Sequence, residues 1–262
     1  MKALFIPALA AAAVFVSSCS KNDSGSSSGT SHMNVYMTDD PALYSSVKVD
    51  VQDVQVHVNG DTSEGSWQSV HVLKAGVYDL LDLSNGKDTL LASADVPAGK
   101  ITQMRLVLGS NNSVTANGAE HTLITPSAQQ SGLKLNIDQT LNAGVSYSLW
   151  LDFDAGKSIV KSGSDYILKP VIRAYTKAET GAVKGYVLPI TADASVYVMA
   201  SATDTVATAM PDPQTGYFQV NGLAAGSYTL VIHSNIGLGD LTVNNVAVAT
   251  GDVTDAGTIK FQ

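Results

Sequence analysis

Valine recurs at every second position from Val47 to Val51 and again from Val54 to Val58. A period of two suits a pleated strand with one buried face and does not suit a helix. Between the two runs the apolar set passes from odd to even positions. A slip of one residue carries every side chain to the other face of a sheet, so a continuous strand here needs an extra residue, and the sequence predicts a bulge at Gln52-Asp53. Similar alternation predicts strands at 67–73, 101–108, 133–137, 145–153 and 166–175, and on both sides of Asn117-Gly118. That dipeptide marks a two-residue hairpin turn, whose two positions take positive φ. Residues 77–83 do not alternate and read as a short helical or irregular packing segment. After a pause at 178–181 a second set of strands is expected at 183–188, 194–200, 217–220, 227–233, 241–248 and 257–261. No long helix is expected. The fold class is therefore all-β, with two consecutive β-sandwich-like domains.

The chain contains one cysteine, Cys19, behind an uncharged stretch from Ala3 to Val16 that follows Lys2. This is the layout of a signal peptide, too short to span a bilayer and weakened as a helix by Pro7. Cysteine at the end of Val16-Ser17-Ser18-Cys19 resembles a bacterial lipobox, which implies cleavage after residue 18 and acylation of the thiol. Several acyl chains would hold the chain at a membrane, at roughly 0.8 kcal/mol per buried CH₂. With its only thiol used for lipid, the mature body is expected to have no disulfide and to rely on its core. Residues 20–32 are rich in Ser and Gly and read as a flexible tether with a root-mean-square span of about 20 Å. Lys21-Asn22-Asp23 loosely resembles the charged export signal of surface-exposed lipoproteins, which places the expected location in the outer membrane, facing outward.

Charge narrows the partners. The chain carries 15 Lys and Arg against 23 Asp and Glu, a net charge of −8, which removal of Lys2 makes more negative. No basic cluster is present to track a phosphate backbone, so nucleic acid is not an expected partner. Contact with the membrane is expected through the acyl anchor, and the body is left to meet a glycan or an envelope protein.

Two families are resembled. The segments Val183-Lys184-Gly185-Tyr186-Val187, Gly216 to Leu230 and Asn245 to Val248 resemble the carboxypeptidase regulatory-like domains of the prealbumin-like group. Ala225 stands where a proline is usual. The resemblance implies a non-catalytic accessory sandwich over 179–262. Met37-Thr38-Asp39-Asp40-Pro41-Ala42, Tyr78 to Leu83, Arg105 to Gly109, Thr125 to Gly132 and Asp152-Phe153-Asp154-Ala155 resemble a surface-lipoprotein domain, domain of unknown function 4382, over 33–178. The latter family carries no assigned chemistry.

The candidate site is Trp150 with Asp152 and Asp154. If Val145, Tyr147, Leu149, Leu151 and Phe153 face the core, these three share the opposite, exposed face. An aromatic plane beside two acceptors can hold a sugar, and paired carboxylates can hold Ca²⁺. The alternative gives Asp154 to a turn cap, Asp152 to backbone donors and Trp150 to packing under a loop. Asp39 and Asp40, before Pro41, can complete a cation site with Asp152 and Asp154 or simply build a turn. Two of these carboxylates can in principle serve as a glycosidase-type pair, whose separation the sequence does not give. His57 and His71 flank the loop 59–66 and read as exposed strand histidines, too few for a metal centre. Ala155-Gly156-Lys157-Ser158 imitates the end of a phosphate loop, but Leu151 stands where its first glycine belongs. Residues 127–132 read as a polar connection, with a binding loop as the alternative. There is no Gly-x-Ser-x-Gly elbow, His-Glu-x-x-His pair or cysteine nucleophile. The expected role is non-enzymatic: binding of an extracellular glycan or protein, with a structural spacer or assembly subunit as the alternative.

Overall fold

The computed structural model describes residues 29–40, 42–58, 66–126 and 132–262. Cys19, the leader, most of the tether, Pro41, residues 59–65 and residues 127–131 lie outside the described residues. The chain is all-β, and its strands pack as sandwiches around two separate apolar clusters, one between Met33 and Leu168 and one between Val183 and Phe261.

The first sandwich is built from β1 (Thr30–Asp40), β2 (Ser46–Val58), β3 (Gln68–Ser69), β4 (Gly76–Asp79), β5 (Thr89–Pro97), β6 (Gly99–Leu108), β7 (Ser113–Ala116), β8 (Ala119–Ile124), β9 (Leu133–Leu141), β10 (Ser146–Asp154), β11 (Ile159–Ser162), β12 (Asp165–Leu168) and β13 (Ile172–Tyr175). One sheet has the order β13-β10-β1-β5. The other runs β11-β12-β8-β7-β2-β6-β9, with β3 and β4 also on β2. The second sandwich follows with β14 (Gly181–Leu188), β15 (Ala194–Ser201), β16 (Asp204–Ala209), β17 (Tyr217–Leu223), β18 (Gly226–Ser234), β19 (Asp240–Val248) and β20 (Val253–Lys260). Its sheets are β17-β14-β20 and β16-β15-β18-β19.

The valine pattern is resolved as the alternation requires. All six valines of β2 are buried, and the register with β6 shifts between Val51 and Asp53. The exposed residue at that shift is Gln52, whose amide donates to Asp50 Oδ1. At the β7–β8 hairpin Ala116 pairs with Ala119, and Asn117 and Gly118 both have positive φ, 52° and 77°. Residues 77–83 divide into β4 and a 3₁₀ turn, Leu80–Leu83, capped by the Asp79 carboxylate.

Other expectations are corrected. Thr30 to His32 belong to β1 and not to the tether: all three pair with β5, and His32 pairs with β10 as well. The strand expected at 67–73 is reduced to two residues, since His71 turns to a φ of 47° and breaks it. The strand expected at 166–175 is split at Pro170, which lacks an N–H for a ladder; β12 joins one sheet and β13 the other. Val145 is exposed and not part of the core face. The alternation misses β5, β11 and β16, of which β5 and β16 sit opposite register shifts at Val35/Tyr36 and Val198/Met199. A shift of this kind lets adjacent residues share a face, as Leu91 and Ala92 do, and erases the alternation.

Deleting Gln52 is expected to prevent folding, because Val54, Val56 and Val58 would rotate to the opposite face. Gln52→Ala keeps the register and should cost about 1 kcal/mol, the value of one hydrogen bond. Circular dichroism and urea unfolding of the two variants test the contrast.

Candidate functional site

Strands β1 and β10 lie side by side and parallel, with Tyr36 opposite Trp150, Thr38 opposite Asp152 and Asp40 opposite Asp154. Strand β13 flanks β10, with Tyr175 opposite Trp150 and Arg173 opposite Asp152. Paired residues in a sheet project to the same side. One face therefore carries three rows: Tyr175-Trp150-Tyr36, Arg173-Asp152-Thr38, and Asp154-Asp40. Asp39 pairs with Phe153 and points the other way, into the end of the first core.

The aromatic row forms a ladder. Tyr36 stacks on Trp150 with ring centroids 4.6 Å apart and planes 8° from parallel, and Tyr175 lies 6.1 Å away at 20°. The Lys177 ammonium stands 4.4 Å from the indole centroid. Asp88 Oδ2 accepts from both the indole N–H, at 2.7 Å, and Lys177, at 3.0 Å. With a tyrosine against one face and Lys177, which follows β13, over the other, the indole has no free plane for a sugar. The expected platform is instead a stacked support.

The carboxylates are buried, not displayed. Asp152 and Asp154 are 4% and 7% exposed, and Asp39 and Asp40 4% and 5%. Arg173 donates to Asp152 Oδ2 and lies 3.8 Å from Asp40 Oδ2. Its guanidinium also reaches across to the second sandwich, to the carbonyls of Asn221 (3.3 Å) and Gly222 (3.5 Å). Asp40 accepts from the backbone N–H of Thr208 in β16 at 3.3 Å. Gly222 closes the contact: a Cβ there would come 2.6 Å from the Tyr175 ring. The face expected to be open is the joint between the sandwiches.

Asp154 acts as the sequence alternative had it. It caps the turn Ala155–Ser158, accepting from Lys157 N–H at 2.8 Å, and pairs with the Lys157 ammonium at 2.8 Å. The segment that imitates a phosphate loop is this capped turn. Asp152, however, is held by Arg173 and not by backbone donors. Asp39 Oδ1 accepts from Ala155 N–H at 3.1 Å, while its Oδ2 is buried without a partner. Among the described residues no group of three or more His, Cys, Asp or Glu is arranged to hold a metal ion. The proposed cation site fails for two reasons: Asp39 lies on the opposite side from its neighbours, and Arg173 already supplies the positive charge. His57 is also corrected, being 1% exposed, packed on Trp67 at 3.6 Å and paired with the Ser66 hydroxyl. His71 is exposed.

Sequence reasoning missed Arg173, Tyr175, Lys177, Tyr36 and Asp88. The shared parity of Arg173 and Tyr175 was a visible signal, but only the pairing of β10 with β13 gives it meaning.

Burial sets the protonation of this face. Desolvation pushes Asp39 well above the ordinary carboxylate range, and neighbouring Asp40 adds to it. Asp40 is raised by burial and by Asp152, against the opposing pull of Arg173. Asp152 is raised by burial to about 6, although Arg173 acts in the other direction. Groups whose folded pKa is raised stabilise the fold fully below their unfolded pKa, and that stability is lost as pH rises through the folded value. The thermal midpoint should therefore fall as pH rises from about 4 through about 6 and above. Asp39→Asn should flatten this slope and raise the midpoint at pH 8. Calorimetry across pH 4–9 checks both.

Residues 30–170 match the family described as domain of unknown function (DUF4382). A search of curated proteins returned no significant match. Among solved structures, the Bacillus anthracis TIE protein is 10% identical over 89% of this chain and 34% of its own, with a TM-score of 0.23. A fimbrial protein from Bacteroides ovatus is 10% identical over 89% of this chain and 50% of its own, with a TM-score of 0.24. BcpA, the major pilin subunit of Bacillus cereus, is 11% identical over 88% of this chain and 70% of its own, at 0.20. The chain spans about a third and a half of the first two of these proteins. Superpositions this loose carry no functional argument.

Proposed function

For a chain that belongs to the DUF4382 family, we propose a non-enzymatic role as a lipid-anchored display module of the bacterial cell surface, in which two sandwiches are locked into one unit. The observation that carries this reading is the joint: Arg173 holds Asp152 and Asp40 of the first sandwich and the Asn221 and Gly222 carbonyls of the second. The residues expected to form an open site are consumed in fixing one sandwich to the other. The connection between them is short and itself bonded, with Thr180 Oγ1 donating to Thr176 O at 2.8 Å and Glu179 N–H to the same carbonyl at 3.2 Å.

In this reading residues 179–262 are a carboxypeptidase regulatory-like sandwich that serves as an accessory spacer. Cys19 is the lipidated residue, and the anchor places the body at the outer membrane, facing outward. Among the described residues no helix is long and apolar enough to cross a membrane. Attachment through Cys19 would supply the contact with the membrane. The pattern Val16-Ser17-Ser18-Cys19 supports this assignment, as do the acidic charge and the absence of a basic patch.

Arg173→Met should loosen the joint. The guanidinium is about a third exposed, so the cost should be on the order of 2 kcal/mol, below the roughly 3–5 kcal/mol of a fully buried pair. Small-angle scattering should show a larger maximum dimension for the variant, and an unchanged envelope would remove the joint from the argument. Metabolic labelling with an alkyne fatty acid should mark the wild type and not Cys19→Ser, and protease shaving of intact cells should release the labelled protein's body.

A further inference from the structure

Away from the joint, the outer face at the start of β1 holds a second polar cluster. The antiparallel register sets His32 opposite Asp95 and Asn34 opposite Ser93, before the shift at Val35/Tyr36, so all four side chains stand on one side of the sheet. Their contacts run in a line. His32 Nδ1 lies 2.8 Å from Asp95 Oδ1, His32 Nε2 lies 3.0 Å from Ser93 Oγ, and Ser93 Oγ lies 2.8 Å from Asn34 Oδ1. The backbone beneath is fixed from both sides: His32 and Asn34 pair with Ser146 and Ser148 of β10, and Ser93 N–H donates to His71 O at 3.2 Å. The His32 and Asp95 side chains are 45% and 67% exposed, so the cluster is open to a solute.

A carboxylate only accepts, so Nδ1 carries the hydrogen shared with Asp95, and Nε2 of the neutral ring is left with its lone pair beside Ser93. The Ser93 hydrogen then has two acceptors, Nε2 and Asn34 Oδ1, and serves one at a time. On a ring with both protons, Nε2–H donates to Oγ and the hydroxyl turns to Asn34. On the neutral ring it turns to Nε2, the arrangement in which a base takes a serine proton while an acid holds the base. The next row of the face supplies apolar surface, Tyr36 paired with the partly exposed Leu90. Ser93 N–H is already given to His71 O and cannot receive an oxyanion, which restricts the acyl donors to esters whose leaving group departs readily.

We propose that Ser93 is an acyl acceptor for activated esters, with His32 as its base and Asp95 holding the ring. Oγ attacks the ester carbonyl carbon as its proton passes to Nε2. The carbonyl oxygen carries the displaced electron pair until the bond to the leaving oxygen breaks, and the proton then goes from Nε2 to that oxygen. The products are O-acyl Ser93 and a free alcohol or phenol, with no co-reactant. Such a residue lets a display module be joined covalently to an ester-bearing partner. It uses no residue of the joint, so Arg173→Met should leave it reactive. The full mature chain treated with 4-nitrophenyl acetate and mapped by peptide mass spectrometry should gain acetyl on Ser93 at least tenfold faster than on Ser227, an exposed strand serine of the second sandwich. That ratio should fall in acid, where the ring holds both protons. His32→Gln should bring Ser93 down to the rate of Ser227 with an unchanged melting temperature. Equal rates at the two serines of the wild type overturn the proposal, as does acetylation of Ser93 that continues at full rate in His32→Gln.

Discussion

A single guanidinium sets the relation between the two halves of this molecule. Arg173 sits in a four-residue strand at the edge of its sheet, with two carboxylates beside it and two carbonyls of the other sandwich ahead of it. Arginine suits the position because its planar fork offers five donors in fixed directions and stays charged when partly desolvated. Without that charge the same volume would hold Asp40 and Asp152 with no cation between them, and carbonyls of the second sandwich facing carboxylates of the first. The aromatic ladder beside it depends on the same register, since Tyr175 is two residues from Arg173 and meets Trp150 because Arg173 meets Asp152.

Raised carboxylates in the joint follow from its construction. Burial makes ionisation costly and the acids raise one another, while Arg173 and Lys157 act against this at Asp40, Asp152 and Asp154. Elevated carboxyl pKa values often mark catalytic acids. Here the geometry argues otherwise, because Asp40 and Asp152 face a protein interface closed by Thr208 and Gly222, and Asp39 is turned into the first core. The perturbation reflects packing, and catalysis is not needed to account for it.

Local features were legible in the sequence and distant pairings were not. The bulge at Gln52, the Asn117-Gly118 turn and most strands of the second half are written in neighbouring residues, so period and turn chemistry suffice. Strands β5 and β16 were hidden by register shifts, whose cause lies in the strand opposite. The side of the sheet for Trp150, Asp152 and Asp154 was read correctly from parity. Their exposure was not, because it depends on a second sandwich that no local pattern places over them. Asp39 shows the same limit: its neighbour Asp40 is one residue away, yet alternation sends the two to opposite faces, and the imagined four-acid cluster divides.

The place of β1 has a mechanical consequence. It is the first strand of the described chain, yet it is not at an edge: β10 runs parallel on one side and β5 antiparallel on the other. A pull on Thr30 along the strand axis therefore loads both ladders in shear, so many hydrogen bonds must fail together and cannot unzip one at a time. A chain held by its N-terminal end in flowing fluid would meet its stiffest element first.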